Sequence, residues 1–284
     1  MKDNKIATVI VLYNPDLDRL YENINAVIRQ TDCVILVDNN SSNIEQIKKM
    51  YSSNSKIHFI FNDRNEGIAK ALNQGIELCS EGYEWVLTLD QDSVVPDTMI
   101  FEYKKYLSLE NVGILTPLIC DRNQKIKYNP KSEYEYLDRC ITSGSLTNIA
   151  VWDKCGKFDE RMFIDVVDFE YCYRITWAGY KIIRINSVQL LHECGKIREI
   201  RILGYPIKIF NHSALRKYYF ARNWAYVKKK HSKKIPIIFI VKQYIVLIGK
   251  ILLFENRKFF KIKAVIQGLI DGLNLKMGEC IREI

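Results

Sequence analysis

A chain of 284 residues that is 48% hydrophobic and 26% charged, with only 13 Gly and 6 Pro, can bury its own core; collagenous, low-complexity and disordered classes are excluded. The formal net charge of +9 is unevenly placed: residues 1–195 carry 22 Lys and Arg against 28 Asp and Glu, whereas residues 196–263 carry 18 against 2. An acidic body followed by a basic, aromatic-rich tail results, and such a tail is expected to face something anionic.

The first residues lack the basic start, apolar stretch and small-residue cleavage site of a secretory leader, which predicts a cytoplasmic protein. Ile6–Leu12 reads as a strand, Leu17–Arg29 as a helix and Cys33–Val37 as a second strand. A helix over Ile44–Tyr51, a strand over Ile57–Phe61, a helix over Ile68–Cys79 and a strand over Trp85–Leu89 continue the alternation. This is the pattern of an α/β protein, a Rossmann-like, mostly parallel sheet with flanking helices. Beyond it, Gly113–Cys120 reads as a strand, Lys125–Arg139 as a loop or hairpin, and Ile141–Val151 as a strand crossing small residues. Phe169–Trp177 reads as a helix, and Lys181–Ser187 and Gln189–His192 as two strands. The division expected is 1–212 for the body, split into halves at about residue 100, and 213–284 for a helical tail. The eight cysteines, at 33, 79, 120, 140, 155, 172, 194 and 280, form no CxxC pair, so reduced thiols are expected.

In an open parallel sheet, ligands sit beyond the carboxyl ends of the strands. Polar clusters fall at four successive ends: Tyr13-Asn14-Pro15, Asp38-Asn39-Asn40-Ser41, Asn62-Asp63-Arg64-Asn65 and Asp90-Gln91-Asp92. Asp90 and Asp92 suit a hard divalent cation, Mg²⁺ or Mn²⁺, that holds phosphate oxygens. Asp38 can accept an N–H from a nucleobase on which the Tyr13 ring stacks. Asn65-Glu66-Gly67-Ile68 opens a helix whose N-terminus can lie near a diphosphate. Taken singly, each cluster also reads as turn chemistry or a helix cap.

Together these pieces resemble the nucleotide-sugar-dependent glycosyltransferases of family 2, which have the GT-A fold. The matching residues include Val9–Asn14, Val37–Ser41, Asn65–Gly75 and Leu89–Ser93, then Gly156–Glu160, Phe163–Arg174 and His192. The Asp90-Gln91-Asp92-Ser93 form, the stretch Phe163–Arg174, and Ser213–Tyr219 followed by Arg222-Asn223 look most like rhamnosyltransferases, which use dTDP-L-rhamnose. The resemblance implies that Tyr13 and Asp38 hold the base, that Asn65, Gly67 and Asn73 line the donor side, and that Asp90 and Asp92 serve ribose, diphosphate and metal. It gives Asp92 and His192 as metal contacts and Asp168 as the general base. Many relatives write the catalytic motif as Glu-Asp-x-Asp; here Val167 stands at the Glu position, and Asp165 is a substitute one turn earlier. Relatives using UDP- or GDP-sugars share most of these pieces, and the Val167 departure keeps a non-catalytic nucleotide-binding subunit as the other reading.

In the tail, Arg216, Lys217, Arg222 and Lys228–Lys230 interleave with five aromatic residues, and Ile235–Phe254 is strongly apolar. A spanning helix would place Lys242 and Lys250 in hydrocarbon at about 2.5–3.5 kcal/mol each. Gln243, Lys250 and Arg257 recur every seven residues, which favours an amphipathic helix lying in the plane of an anionic membrane. Packing on the body or on a second subunit in a homo-oligomer is the other reading. No nucleic-acid motif is present, and no nucleic-acid partner is expected. A lipid-linked or glycan acceptor fits a peripheral enzyme at the inner face of the cell membrane, with Arg216 and Arg222 expected at its head group and Ser143 and Gly144 on the acceptor side.

Overall fold

The computed structural model describes residues 5–121, 132–192, 198–202, 205–282 and 284. It divides into two compact units, one of residues 1–159 and 168–193 and one of residues 160–167 and 194–284.

In the first unit β1 (Ile6–Leu12), α1 (Leu17–Val27), β2 (Cys33–Asp38), α2 (Ile44–Tyr51), β3 (Ile57–Phe61), α3 (Ile68–Cys79) and β4 (Trp85–Asp90) follow in turn. After them come α4 (Met99–Lys104), β5 (Val112–Asp121), β6 (Tyr134–Leu137), β7 (Ser145–Asn148), α5 (Ile149–Lys154), α6 (Val167–Trp177) and β8 (Lys181–His192). The eight strands form one sheet in the order β3-β2-β1-β4-β7-β5-β8-β6. β1 to β4 are mutually parallel, β5 is parallel to β8, and β7 and β6 run antiparallel to their neighbours. Every residue of β1 and β2 is buried, as continuous apolar strands covered on both faces must be. The expected α/β class and mostly parallel sheet with flanking helices are therefore present.

Three local readings change. The expected strand Ile141–Val151 is interrupted: Gly144 adopts φ +79, the strand begins at Ser145, and Asn148 caps α5 by accepting from Val151 N at 3.1 Å. An N-cap at Asn148 converts the apolar run after it into helix. The two strands expected over 181–192 are one, whose pairing with β5 jumps from Pro117↔Ile185 to Leu118↔Gln189. Pro117 has no N–H to give, so the ladder slips there and the extra β8 residues bulge. The expected loop or hairpin over 125–139 supplies the edge strand β6, while residues 122–131 lie outside the described set.

The second unit holds the hairpin strands β9 (Arg198–Ile202) and β10 (Tyr205–Ile209) and the helices α7 (Ala214–Lys230), α8 (Ile237–Phe254) and α9 (Lys258–Leu273). The heptad series ending at Arg257 does not lie on one helix. α8 stops at Phe254, and Arg257 (φ 51) turns the chain into α9. A Cβ on Gly268 or Gly272 would meet the Tyr218 or Arg222 carbonyl oxygen at 2.4 and 2.2 Å, so these glycines let α9 lie against the backbone of α7. Lys217, Glu255 and Lys261 form a buried triad, with Glu255 accepting from Lys217 Nζ at 2.6 Å and from Lys261 Nζ at 2.8 Å. The expected helical, basic tail is thus three packed helices.

Candidate functional site

Register brings the strand ends together. Leu12 pairs with Asp38, and Val11 pairs with Asp90, so the chain leaves β1, β2 and β4 at one edge of the sheet. Tyr13 follows β1 and is half exposed. Asp38 is buried at the end of β2, where its carboxylate accepts from Ser41 N at 3.1 Å. Asn14 (φ 46) donates its N–H to Ser41 Oγ at 2.9 Å, and its carbonyl Oδ1 accepts from Ser42 N at 2.8 Å. These bonds zip the β1 and β2 loops into one rim.

On the other side of β1, Gln91 clasps the backbone of Tyr13. Its Oε1 accepts from Tyr13 N at 2.9 Å, and its Nε2 donates to Tyr13 O at 3.3 Å. Asp90 and Asp92, both half-buried residues, stand on either side of Gln91 in the chain, and Asp92 Oδ1 is itself buried. Asn23, buried on α1, donates to Asp90 O at 2.7 Å, and Ser143 Oγ accepts from Asp90 N at 3.1 Å. Val94 exchanges both backbone hydrogen bonds with Leu191, next to the end of β8. His192 closes β8 opposite Asp121; its side chain lies outside the described residues.

Asn65 Oδ1 accepts from Gly67 N at 3.0 Å, and Gly67 takes φ 83 at the start of α3. Positive φ without a Cβ leaves that helix N-terminus open to close approach. Asn73 is different. It is buried, and its amide is spent on Phe158, donating to Phe158 O at 2.9 Å and accepting from Phe158 N at 3.0 Å. It acts by fixing α3 to the chain ahead of α6. Asp168 stands in the first turn of α6, where the macrodipole favours a carboxylate, and its Oδ1 accepts from Phe169 N at 2.9 Å. It lines a narrow cavity with Thr88, Thr142, Ser145 and Cys172, and Thr88 stands two residues before Asp90. Glu170, fully buried, takes Arg174 in a bidentate pair at 2.8–3.0 Å, and Arg174 also donates to the carbonyls of Cys155 and Lys157. That pair ties down α6.

Cys140 and Cys172 lie beside Asp168, with their sulfurs 3.8 Å apart. The contact with Cys140, together with burial, pushes the Cys172 thiol well above its ordinary range. The seven cysteines among the described residues are free.

Comparison with known proteins decides the class. The family model for glycosyl transferase family 2 matches residues 8–158. A dTDP-rhamnosyl transferase of Shigella flexneri, RfbF, is 31% identical over 95% of this chain and 96% of its own length. The chain belongs to glycosyltransferase family 2. Among solved structures, GalNAc-T7 with UDP, GalNAc and Mn²⁺ superposes with a TM-score of 0.65 at 15% identity, over 96% of this chain and 57% of that one. A mannosyltransferase of Pyrobaculum calidifontis with GDP-Man and Mn²⁺ gives 0.60 at 13% identity, over 94% and 73%. The sheet of this family 2 glycosyltransferase is accordingly of GT-A type.

The expected acceptor residues separate by burial. Ser143 has no exposed surface, and Gly144 is buried, crowded by Pro117 and Leu190. In the second unit Asp165 and Arg216 do meet, Arg216 donating from Nε at 2.7 Å and from Nη2 at 2.6 Å. Asp165 and Val166 both have positive φ, 69 and 67, a strained pair for which Asn223 Nδ2 supplies support by donating to the Ile164 and Asp165 carbonyls at 2.8 and 2.7 Å. Arg222 is 1% exposed, its guanidinium over the Tyr218 and Tyr219 rings and donating to Gly278 O at 2.6 Å.

Sequence reasoning passed over Asn23 and Gln91. Asn23 carried a signal, an amide on the apolar face formed by Leu20, Ile24 and Val27. Gln91 carried none, because its partner is backbone.

Proposed function

We propose that this family 2 glycosyltransferase moves L-rhamnose from dTDP-L-rhamnose, with inversion, onto a lipid-linked or glycan acceptor in bacterial surface polysaccharide synthesis. One observation carries the reading: Tyr13, Asp38, Asp90 and Asp92 stand together at the carboxyl edge of three adjacent parallel strands. The near full-length likeness to a dTDP-rhamnosyl transferase supports the choice of donor.

Tyr13 stacks on the base and Asp38 accepts its N–H, while Asn65 and Gly67 face the diphosphate side and Asn73 keeps α3 in place. Asp90 and Asp92 are two hard oxygen donors on one turn, and among the described residues no third acidic, His or Cys ligand joins them. That set fits a divalent cation, Mg²⁺ or Mn²⁺, which keeps other positions for diphosphate oxygens. His192 is a further contact on the same reading. When bound, the cation neutralises charge on the departing diphosphate. Asp168 takes the proton of the acceptor hydroxyl as that oxygen bonds to the anomeric carbon and the bond to the diphosphate breaks. Asp165 and Arg216 are assigned to the acceptor, Arg216 being the more exposed of the two arginines, while Arg222 acts through packing.

The basic second unit is assigned to the anionic inner face of the cytoplasmic membrane. Its support is the charge of residues 196–263 and the apolar residues left exposed on α8 and α9.

The test is nucleoside diphosphate release by the purified protein from dTDP-L-rhamnose, UDP-sugars and GDP-sugars, with and without acceptor. Release from dTDP-L-rhamnose is expected. Release from UDP- or GDP-sugars alone would move the donor assignment, and none from any sugar would leave a nucleotide-binding subunit.

A further inference from the structure

Two carboxylates on one four-residue turn repel each other whenever no cation lies between them, so whatever holds the Asp90–Ser93 turn decides where Asp90 and Asp92 stand. The turn's own bond, Ser93 N to Asp90 O at 3.1 Å, is shared with Asn23, which donates to the same carbonyl at 2.7 Å. One side chain that touches both ends of the turn is that of Ser143. Its Oγ accepts from Asp90 N at 3.1 Å and lies 2.7 Å from Ser93 Oγ. Ser143 and Ser93 have no exposed surface, so neither hydroxyl is available to a substrate and neither can trade its partner for water.

The segment that carries Ser143 has no slack. Gly144 N donates to Thr88 O at 2.8 Å, Tyr103 OH donates to Gly144 O at 2.8 Å, and Thr88 Oγ1 donates to Thr142 O at 2.6 Å. A side chain at 144 is shut out by Pro117 Cγ, which would stand 2.6 Å from its Cβ. The residue at 143 is therefore held by β4, by the buried face of α4 and by β5, and it passes that rigidity to the turn.

We propose that Ser143 is a positioning residue that preorganises the Asp90–Ser93 turn for a divalent cation and the diphosphate it carries. The proposal rests on the donor-site reading given above. Preorganised donors do not have to be rearranged when charge develops, and that is what makes them effective. Without the Ser143 hydroxyl the turn keeps its Asn23 and Gln91 contacts but loses the anchor common to Asp90 and Ser93.

Ser143→Ala removes one buried oxygen and leaves the backbone intact. Calorimetry of dTDP binding, with and without Mn²⁺, reads the effect directly. The gain in affinity conferred by Mn²⁺ is expected to fall about tenfold, as the loss of one buried hydrogen-bonding partner predicts, while metal-free binding stays put. Donor KM rises more than kcat falls, and the unfolding midpoint moves by a few degrees at most. An unchanged Mn²⁺ gain overturns the proposal. So does an equal loss of metal-free and metal-dependent binding, which marks a general structural defect.

Ser93→Ala removes the other end of the anchor and must move the same quantity in the same direction; it carries the test alone if Ser143→Ala does not fold. Asp92→Ala separates the two levels of the argument. If it leaves the Mn²⁺ gain intact, the site reading itself fails; if it abolishes the gain while Ser143→Ala and Ser93→Ala do nothing, only the positioning role fails.

Discussion

Asp168 has the helix N-terminus to hold its charge and, in its cavity, the hydroxyl-bearing Thr88, Thr142 and Ser145. Asp168→Asn keeps its size and its bond from Phe169 N but cannot take a proton. Transfer is expected to fall by about 10²–10⁴-fold, the usual worth of general base catalysis, with dTDP affinity unchanged by calorimetry. Transfer at a near-normal rate would remove Asp168 from the chemistry. At this scale the sequence was legible where a side chain projects from a strand end, as Tyr13, Asp38, Asp90 and Asp92 do, since strand ends can be found from periodicity. It was opaque where a side chain meets backbone far along the chain. Asn73 bonds Phe158 and Gln91 bonds Tyr13, and a carbonyl or N–H leaves no trace in residue identity.

At the scale of elements, β1 through β4 were legible because each apolar run ends in a polar cluster. The irregular elements were hidden for specific reasons. Pro117 breaks a ladder whose partner strand lies some 70 positions on, Gly144 ends one run inside another, and the α8–α9 break depends on a left-handed Arg257. The packing of α7 on α9 has a sharper signature, two glycines four residues apart. Gly272→Ala places a Cβ 2.2 Å from the Arg222 carbonyl oxygen, which must push the helices apart. A cost of about 1–3 kcal/mol is expected, seen as a lower unfolding midpoint, and Gly249→Ala, where a Cβ meets nothing, serves as the control. The buried triad gives a second test. Burial by itself raises the Glu255 carboxyl, but the hydrogen bonds and charges of Lys217 and Lys261 outweigh it and hold the group below its ordinary value of 4.5. A carboxyl lower in the folded than in the unfolded chain stabilises the fold above pH 4.5, and that stability is lost as pH falls through the folded value. Glu255→Gln strands two buried ammonium groups and is expected to cost about 3–5 kcal/mol at neutral pH. Its unfolding midpoint should then fall less steeply than that of the wild type as the solution is acidified below pH 4.5.

For the whole molecule, the division of charge along the chain is the feature with the longest reach, because the anionic partner proposed for the second unit rests on it. α8 buries Ile240, Leu247 and Ile251 and anchors Tyr244 OH on the Ala221 carbonyl at 2.6 Å, while Ile238, Ile245 and Leu253 remain about two-thirds exposed. It is long and apolar enough to cross a membrane, with 17% of its span buried. A helix that already packs one side against its own unit and carries Lys242 exposed on another is better suited to lying in the headgroup plane than to leaving that packing for hydrocarbon. On α9, Phe259 and Phe260 add apolar surface beside Arg257, Lys258 and Lys263. Apolar contact and attraction to anionic lipid differ in their response to salt, and only the second is screened, over about 8 Å at physiological ionic strength. The full-length protein is therefore expected to float with vesicles containing anionic phospholipid and to be partly released by 0.5 M salt (roughly a 4–5 Å screening length). Leu253→Asp combined with Phe259→Asp should weaken binding at every salt concentration, whereas Lys258→Glu with Lys263→Glu should weaken it at low salt and flatten the salt dependence. Equal flotation with neutral vesicles would remove the electrostatic half of the argument. Flotation that survives both double substitutions would remove α8 and α9 as the contact surface.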